Sequence, residues 1–121
     1  MTQVFDAATL DQLRNTKEVR IHAGKPPEKT ATIWVVVGDS DVFIRSVRGP
    51  KGRWYRTAAA DGQAALEVGD RSFPVRVTAA TDDASIERAS REFLAKYSPS
   101  PYAPMMVRPE VLMTTLRLEP L

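Results

Sequence analysis

The sequence contains no cysteine and a single histidine, His22. The lack of cysteine excludes disulfides, thiolate catalysis and cysteine-ligated metal sites, and one histidine cannot form a histidine metal cluster. A serine–histidine–acid triad would depend on His22 alone. We place His22 on a strand, where a histidine is more often a packing or surface residue than a catalytic base. We therefore predict no metal site and name no catalytic residue.

Long apolar runs are also missing. No stretch approaches the roughly 20 apolar residues of a membrane-spanning helix. The opening residues, MTQVFDAATLDQLR, lack the basic start and apolar core of a secretory signal. We therefore expect a cytoplasmic protein with no membrane partner. With 121 residues, of which 43% are hydrophobic and 26% charged, the chain is predicted to be one globular domain, residues 1–121.

The net charge of +2 conceals an uneven distribution of charged residues. Residues 14–56 contain ten lysines and arginines against four acids, a balance of +6, so the rest of the chain carries −4. Five of these cations lie in VFIRSVRGPKGRWYR, residues 42–56, together with Trp54 and Tyr55. A concentrated positive field can attract and hold an anion. A solvated charged surface would have the same composition, and both interpretations stay open.

Local patterns predict an α+β domain built on a small antiparallel split barrel of about six strands. Asp6 is placed to cap an N-terminal helix. Asp82 or Asp83 begins a second helix, before the last strand, which reaches Tyr97 and has Leu94 in its apolar stripe.

The strands are predicted from runs of β-branched and aromatic residues. TATIWVVVGDSDVFIRSV forms a hairpin around residues 38–41. Its first strand, residues 31–37, is apolar on both faces, so we expect the barrel on one side and a second subunit on the other. GQAALEV and RSFPVRVTAA form a second hairpin, in which Pro74 indicates an edge or a bulge in its strand. A strand over residues 18–23 and a last strand, EVLMTTLRLEP, complete the barrel.

The basic segment VRGPKG follows Ser46 at the end of a strand. Its glycines permit a tight loop and close approach of the backbone to a ligand. Backbone N–H groups between Arg48 and Lys51 can form a concave anion site, with Trp54 as an aromatic surface beside it. Phosphate next to an aromatic group suits a nucleotide, a flavin-type cofactor or single-stranded nucleic acid. The alternative is a basic surface loop with Trp54 in the core.

The order of these elements, with TIWVVVGDSDVFIRSVRGPKGRWYR at its centre, resembles the FMN-binding split barrels and, among them, the deazaflavin-dependent nitroreductase-like branch. Ser46-Val47-Arg48-Gly49 matches a strand that ends in Ser-x-x-Gly, and Trp54 matches a tryptophan on a short helix. More closely still, about residues 5–119 resemble a bacterial family described as a domain of unknown function. The chain departs from the branch at Thr57, where asparagine is usual, and GKPPEKTAT lacks the usual Arg-Lys-Ser-Gly run.

The resemblance implies a homodimer that binds a phosphate-bearing cofactor, FMN or a deazaflavin, in a cleft at the subunit interface. If the protein is an enzyme, it would be an oxidoreductase whose cofactor performs the hydride chemistry. The implied phosphate ligands are Lys25, Lys29, Thr30, Ser46, Arg48 and Lys51, and Trp54 would flank the ring. Two alternatives stay open: a barrel that binds single-stranded nucleic acid, which we rank lower, and a barrel without cofactor that serves as an interaction module.

Overall fold

The computed structural model describes residues 3–121, which form seven strands and four α-helices. The strands are β1 (Val19–Ala23), β2 (Lys29–Ile33), β3 (Val36–Gly38), β4 (Asp41–Ile44), β5 (Gln63–Val68), β6 (Arg71–Ala79) and β7 (Leu116–Pro120). The helices are α1 (Ala7–Asn15), α2 (Arg53–Asp61), α3 (Asp83–Tyr97) and α4 (Pro109–Leu112), with short 3-10 helices at Gly49–Lys51 and Ala103–Val107. The predicted α+β class is confirmed, with seven strands instead of about six. No helix in this range is long and apolar enough to cross a membrane.

The strands form one antiparallel sheet in the order β2-β1-β5-β6-β7-β4-β3. The two edge strands, β2 and β3, are consecutive in the chain and are separated by Trp34 and Val35 alone. A flat sheet of seven strands would hold its edges about 29 Å apart. The chain from Ile33 to Val36 spans at most about 11 Å. The sheet must therefore curl until its edges approach each other, which gives the predicted split barrel with its seam between β2 and β3.

The prediction of one strand over residues 31–37 is wrong, because β2 pairs with β1 whereas β3 pairs with β4. Side chains from the end of α3 bind the backbone of Val35 at the break. The Val35 N–H donates to the Tyr97 hydroxyl oxygen at 3.1 Å, and the Lys96 ammonium donates to the Val35 carbonyl at 2.7 Å. These bonds replace the sheet ladder and let the chain cross from one edge of the sheet to the other.

Two buried clusters lie on opposite faces of the sheet. Val42 and Ile44 of β4 point into the barrel interior, whereas Phe43 between them joins Phe93 in the cluster beneath α3. Val36 belongs to this second cluster and is 1% exposed. The apolar face for which we expected a partner subunit is thus covered by α3 of the same chain. Leu94, predicted in the buried stripe of α3, is 42% exposed, so that assignment is wrong.

Several local predictions are confirmed. Asp6 caps α1 by accepting from the Thr9 N–H at 3.0 Å, and Asp82 caps α3 by accepting from the Ser85 N–H at 3.1 Å. Both hairpins are present, as β3–β4 and β5–β6. Pro74 directly precedes Val75, the first β6 residue that pairs with β7. Its missing N–H therefore costs no hydrogen bond to β7.

The last strand is shorter than predicted. EVLMTTLRLEP does not start a strand at residue 110, because Pro109 begins the short helix α4 and only Leu116–Pro120 pairs with the sheet. Proline is well suited to the first position of a helix, since its fixed φ is helical and its missing N–H is not needed there. Met113, which falls within that predicted strand, is exposed.

Candidate functional site

A cleft of about 780 Å³ runs along β2, between the segment that follows β4, the start of α2 and residues 102–106. Its volume lies within the range of small-molecule sites, which is about 300–1,000 Å³. Four cations and two acids contribute to its lining: Lys29, Arg45, Arg48 and Arg53, with Glu18 and Glu28. Three aromatic residues also line it: Trp34, Trp54 and Tyr102. The cleft therefore combines a positive charge balance with flat aromatic surface.

The Ser46–Gly49 turn shapes the wall after β4. The Ser46 hydroxyl donates to the Gly49 carbonyl at 2.8 Å, and the Gly49 N–H donates back to the Ser46 carbonyl at 2.9 Å. Gly49 has φ +72°, a left-handed conformation that favours glycine. A Cβ at Gly52 would collide with the Ser46 hydroxyl oxygen. The motif Ser-x-x-Gly is thus a closed turn that requires glycine at position 49, and the closeness of Ser46 requires a second glycine, Gly52, three residues beyond the motif.

The start of α2 faces the cleft without a capping side chain. Gly52 occupies the N-cap position, where no side-chain hydrogen bond is made, and the first turn contains no acidic residue. Gly52, Arg53 and Trp54 all line the cleft. The first N–H groups of a helix carry a partial positive charge and have no partner within the helix. Such a helix start is a favourable position for a phosphate group.

The cleft includes five of the seven residues that the sequence suggested for the site. Lys29, Thr30, Ser46, Arg48 and Trp54 line it. Lys25, in the loop between β1 and β2, and Lys51, in the 3-10 helix, are exposed and do not line it. The hydroxyl proton of Ser46 is already donated to Gly49, so this side chain orders the turn and has no proton to offer a phosphate in this conformation.

Two tryptophans occupy different parts of the cleft lining. Trp54 is 9% exposed, belongs to the barrel core and meets Tyr55 edge to face, with ring centroids 6.2 Å apart. It therefore fills the role of core residue as well as cleft wall. Trp34 is only partly buried and stacks on Tyr97 with centroids 4.0 Å apart and ring planes 2° from parallel. Trp34 is thus an aromatic surface that Tyr97 holds in place.

Arg45 is the buried cation of the cleft wall. It is 1% exposed and donates to the Thr115 hydroxyl at 2.9 Å and to the carbonyls of Met106 and Ile86 at 3.0 Å each. Its guanidinium lies 5.3 Å from the centre of the Phe93 ring. Burial lowers the pKa of Arg45 to about 10, which still leaves it charged at neutral pH.

Sequence reasoning did not select Trp34, Arg45, Arg53 or Tyr102 as site residues. Arg45 did carry a signal, since it follows three apolar residues of β4 at a position where a buried cation needs an explanation. Trp34 gave no such signal, because its apolar neighbours made it look like one residue of a continuous strand. The resemblance implied a short helix that carries Trp54, and this helix is present as α2.

The curled antiparallel sheet, with a cleft between one edge strand and the start of α2, defines the protein as an α+β split barrel. The chain belongs to the bacterial family described as "Uncharacterized protein conserved in bacteria (DUF2255)", whose model matches residues 9–118. No protein of curated function matches the sequence.

Among the solved structures that share the fold are two mycobacterial proteins. The conserved hypothetical protein Rv2991 from Mycobacterium tuberculosis aligns with a TM-score of 0.67 and 14% identity, over 98% of this chain and 83% of that one. The FAD binding protein from Mycobacterium smegmatis aligns with a TM-score of 0.56 and 18% identity, over 74% of this chain and 77% of that one. At these identities the likeness establishes the fold.

Proposed function

We propose that this protein binds a phosphate-bearing flavin, FMN or a deazaflavin, in the cleft along β2. One observation carries the proposal: the uncapped start of α2, Arg48 and Arg53 meet aromatic surface from Trp34 and Trp54 in a single cleft. This is the combination that a phosphate joined to a flat ring system requires. The FAD binding protein that shares the fold supports a flavin-type ligand at a coarse level.

The residues of the cleft divide into two chemical parts. Arg48, Arg53 and the N–H groups at the start of α2 are suited to hold the phosphate, because charge-assisted hydrogen bonds are the strong ones. Lys29 and Thr30 of β2 add a point charge and a hydroxyl nearby. Trp34, Ile33 and Met106 provide apolar and aromatic surface for a ring. This division fits the cofactor without any metal ion.

We further propose an oxidoreductase role. A bound flavin or deazaflavin supplies hydride transfer to or from a substrate. The chain itself holds the phosphate, orients the ring against the aromatic wall and excludes water from it. Its buried cation, Arg45, adds a positive potential to that wall.

Ligand titration tests the proposal. FMN and riboflavin differ only in the phosphate, so FMN should bind more tightly than riboflavin to the parent protein. Arg48→Ala should weaken the binding of FMN by about 1.5–3 kcal/mol, the range for hydrogen bonds that involve charged groups. The affinity for riboflavin should stay unchanged, because riboflavin has no phosphate. Flavin fluorescence and the melting temperature report binding.

Lys51→Ala is the matched control, since Lys51 is an exposed cation three residues from Arg48 that does not line the cleft. It should bind FMN as the parent protein does. The absence of any binding of FMN, FAD or a deazaflavin to the parent protein would refute the proposal. Binding that depends equally on Lys51 and Arg48 would place the phosphate outside the cleft.

A further inference from the structure

Arg45 has no acidic partner, although it is the largest of the fully buried side chains in residues 3–121. The ion pairs in this part of the chain join other arginines and His22 to carboxylates, and Arg45 takes part in none of them. Arg88 shows the usual arrangement, with a guanidinium nitrogen 2.7 Å from the Asp41 carboxylate. Neutral carbonyls and a hydroxyl hold Arg45 in place but do not balance its charge.

A buried charge without a counter-charge is destabilising, because its lost hydration is not replaced by an ionic attraction. A methionine or leucine would fill the same space among Phe93 and Met106 without that cost. The guanidinium has five N–H groups, and three of its nitrogens each make one hydrogen bond. Two of the five N–H groups therefore make no hydrogen bond within the described residues, and Arg45 is one of the residues that line the cleft.

The position of Arg45 relates it to one wall of the cleft. Met106, whose carbonyl accepts from Arg45, lines the cleft as Arg45 does. A row of rings runs from Arg45 to Trp34: Phe93 below the guanidinium, then Tyr97 at 6.2 Å from Phe93, then Trp34 at 4.0 Å from Tyr97. Arg45 and Trp34 thus belong to the wall that α3 supports. The start of α2 forms a different wall.

We propose, on the basis of the flavin function above, that Arg45 stabilises the negative charge of the reduced ring of the bound cofactor. The oxidised ring is neutral. Two electrons and one proton convert it into a reduced ring with one negative charge. A fixed cation in a water-poor wall attracts that charge strongly and gains nothing from the neutral form. The protein should therefore bind reduced FMN more tightly than oxidised FMN, and the midpoint potential of bound FMN should exceed that of free FMN.

The test is the midpoint potential of FMN bound to the parent protein and to Arg45 variants, by titration with dithionite, which is oxidised to sulfite. Arg45→Met removes the charge and should reduce the preference for the reduced form about tenfold, which equals a lowering of about 30 mV for a two-electron couple. Arg45→Lys keeps a charge and should lower the potential less. Arg48→Ala should weaken both oxidation states equally and leave the potential unchanged, since the phosphate has the same charge in both.

The outcomes separate this inference from the proposed function. If no form of FMN binds, the flavin function itself is wrong and Arg45 has no such role. If FMN binds but Arg45→Met keeps the parent potential, the flavin function stands and the role of Arg45 is refuted. If Arg45→Met does not fold, the midpoint potential of FMN bound to the parent protein is the test. A value at or below the midpoint potential of free FMN overturns the inference.

Discussion

At the scale of single residues, two cations, Lys96 of α3 and Arg45 directly after β4, are held by neutral oxygens. Arg45 donates to two carbonyls and a hydroxyl, and Lys96 donates to the carbonyls of Leu13 and Val35 at 2.8 and 2.7 Å. Burial lowers the pKa of both. Arg45 lines the cleft and Lys96 does not, so Lys96 is best understood as a clamp that joins α1, α3 and the β2–β3 crossing.

Lys96 makes stability depend on pH in a defined window. Burial lowers its pKa from 10.5 to about 8, so between these values the unfolded chain binds more protons than the folded protein. Stability should therefore rise as pH increases from 8 towards 10. Tyr97 acts in the opposite direction above pH 10, since burial raises its pKa from 10.0 to about 12 and keeps its proton on in the folded state. Urea denaturation between pH 7.5 and pH 9.5, a range of about two units, measures the rise in the free energy of unfolding.

Lys96→Met should flatten this pH dependence. Lys25→Met is the control, because Lys25 is exposed in the loop between β1 and β2. The control should keep the slope of the parent protein. An unchanged slope in Lys96→Met would show that other groups determine the pH dependence.

At the scale of elements, the end of α3 determines how the barrel is split. Tyr97 stacks on Trp34 and accepts the Val35 N–H, while its hydroxyl proton goes to the Lys17 carbonyl at 2.7 Å. One side chain thus fixes the crossing from β2 to β3 and also orients an aromatic residue of the cleft. The fold and the candidate site share this element.

Tyr97→Phe should therefore destabilise the protein while keeping the ring stack. Val35 is fully buried, and its N–H would lose its partner at a cost of about 1–3 kcal/mol. Tyr102→Phe is the control, because Tyr102 is 65% exposed and should change stability by less than about 0.5 kcal/mol. Equal unfolding free energies for the two variants in urea would contradict this account of the crossing.

At the scale of the whole molecule, we propose a homodimer in which the rim of the cleft meets its partner. We expected a dimer because residues 31–37 are apolar on both faces. Within one chain, however, α3 and its Tyr97 cover the face that we expected a partner subunit to cover. A different feature supports the proposal: Val47 and Tyr102 are exposed apolar residues that line the cleft. Burial of apolar side chains of this size against a partner subunit would stabilise the dimer.

Tyr102→Glu should shift the proposed dimer towards monomer, by about 1.5–3 kcal/mol for each buried copy of the side chain. Light scattering over a range of concentrations measures the mass. Leu94→Glu is the matched control, because Leu94 is an exposed apolar residue of α3 that does not line the cleft. A monomer mass for the parent protein across the micromolar range would refute the dimer.

The sequence by itself determined the features that depend on near neighbours. The caps at Asp6 and Asp82 and the two hairpin turns follow from residues within a few positions of each other. The Ser46–Gly49 turn is local for the same reason, and it brought Arg48 and Trp54 to attention. Patterns of this kind are readable because their partners lie in the same short segment.

The tertiary structure alone decided the features whose partners lie far away in the chain. Val35 leaves the sheet because its N–H meets Tyr97, 62 residues later. Arg45 is buried because Ile86, Met106 and Thr115 supply its oxygens from 41 to 70 residues away. Neither strand propensity nor a single cation in the sequence predicts such contacts. The interactions that stabilise them form only when the sheet curls and α3 packs against it.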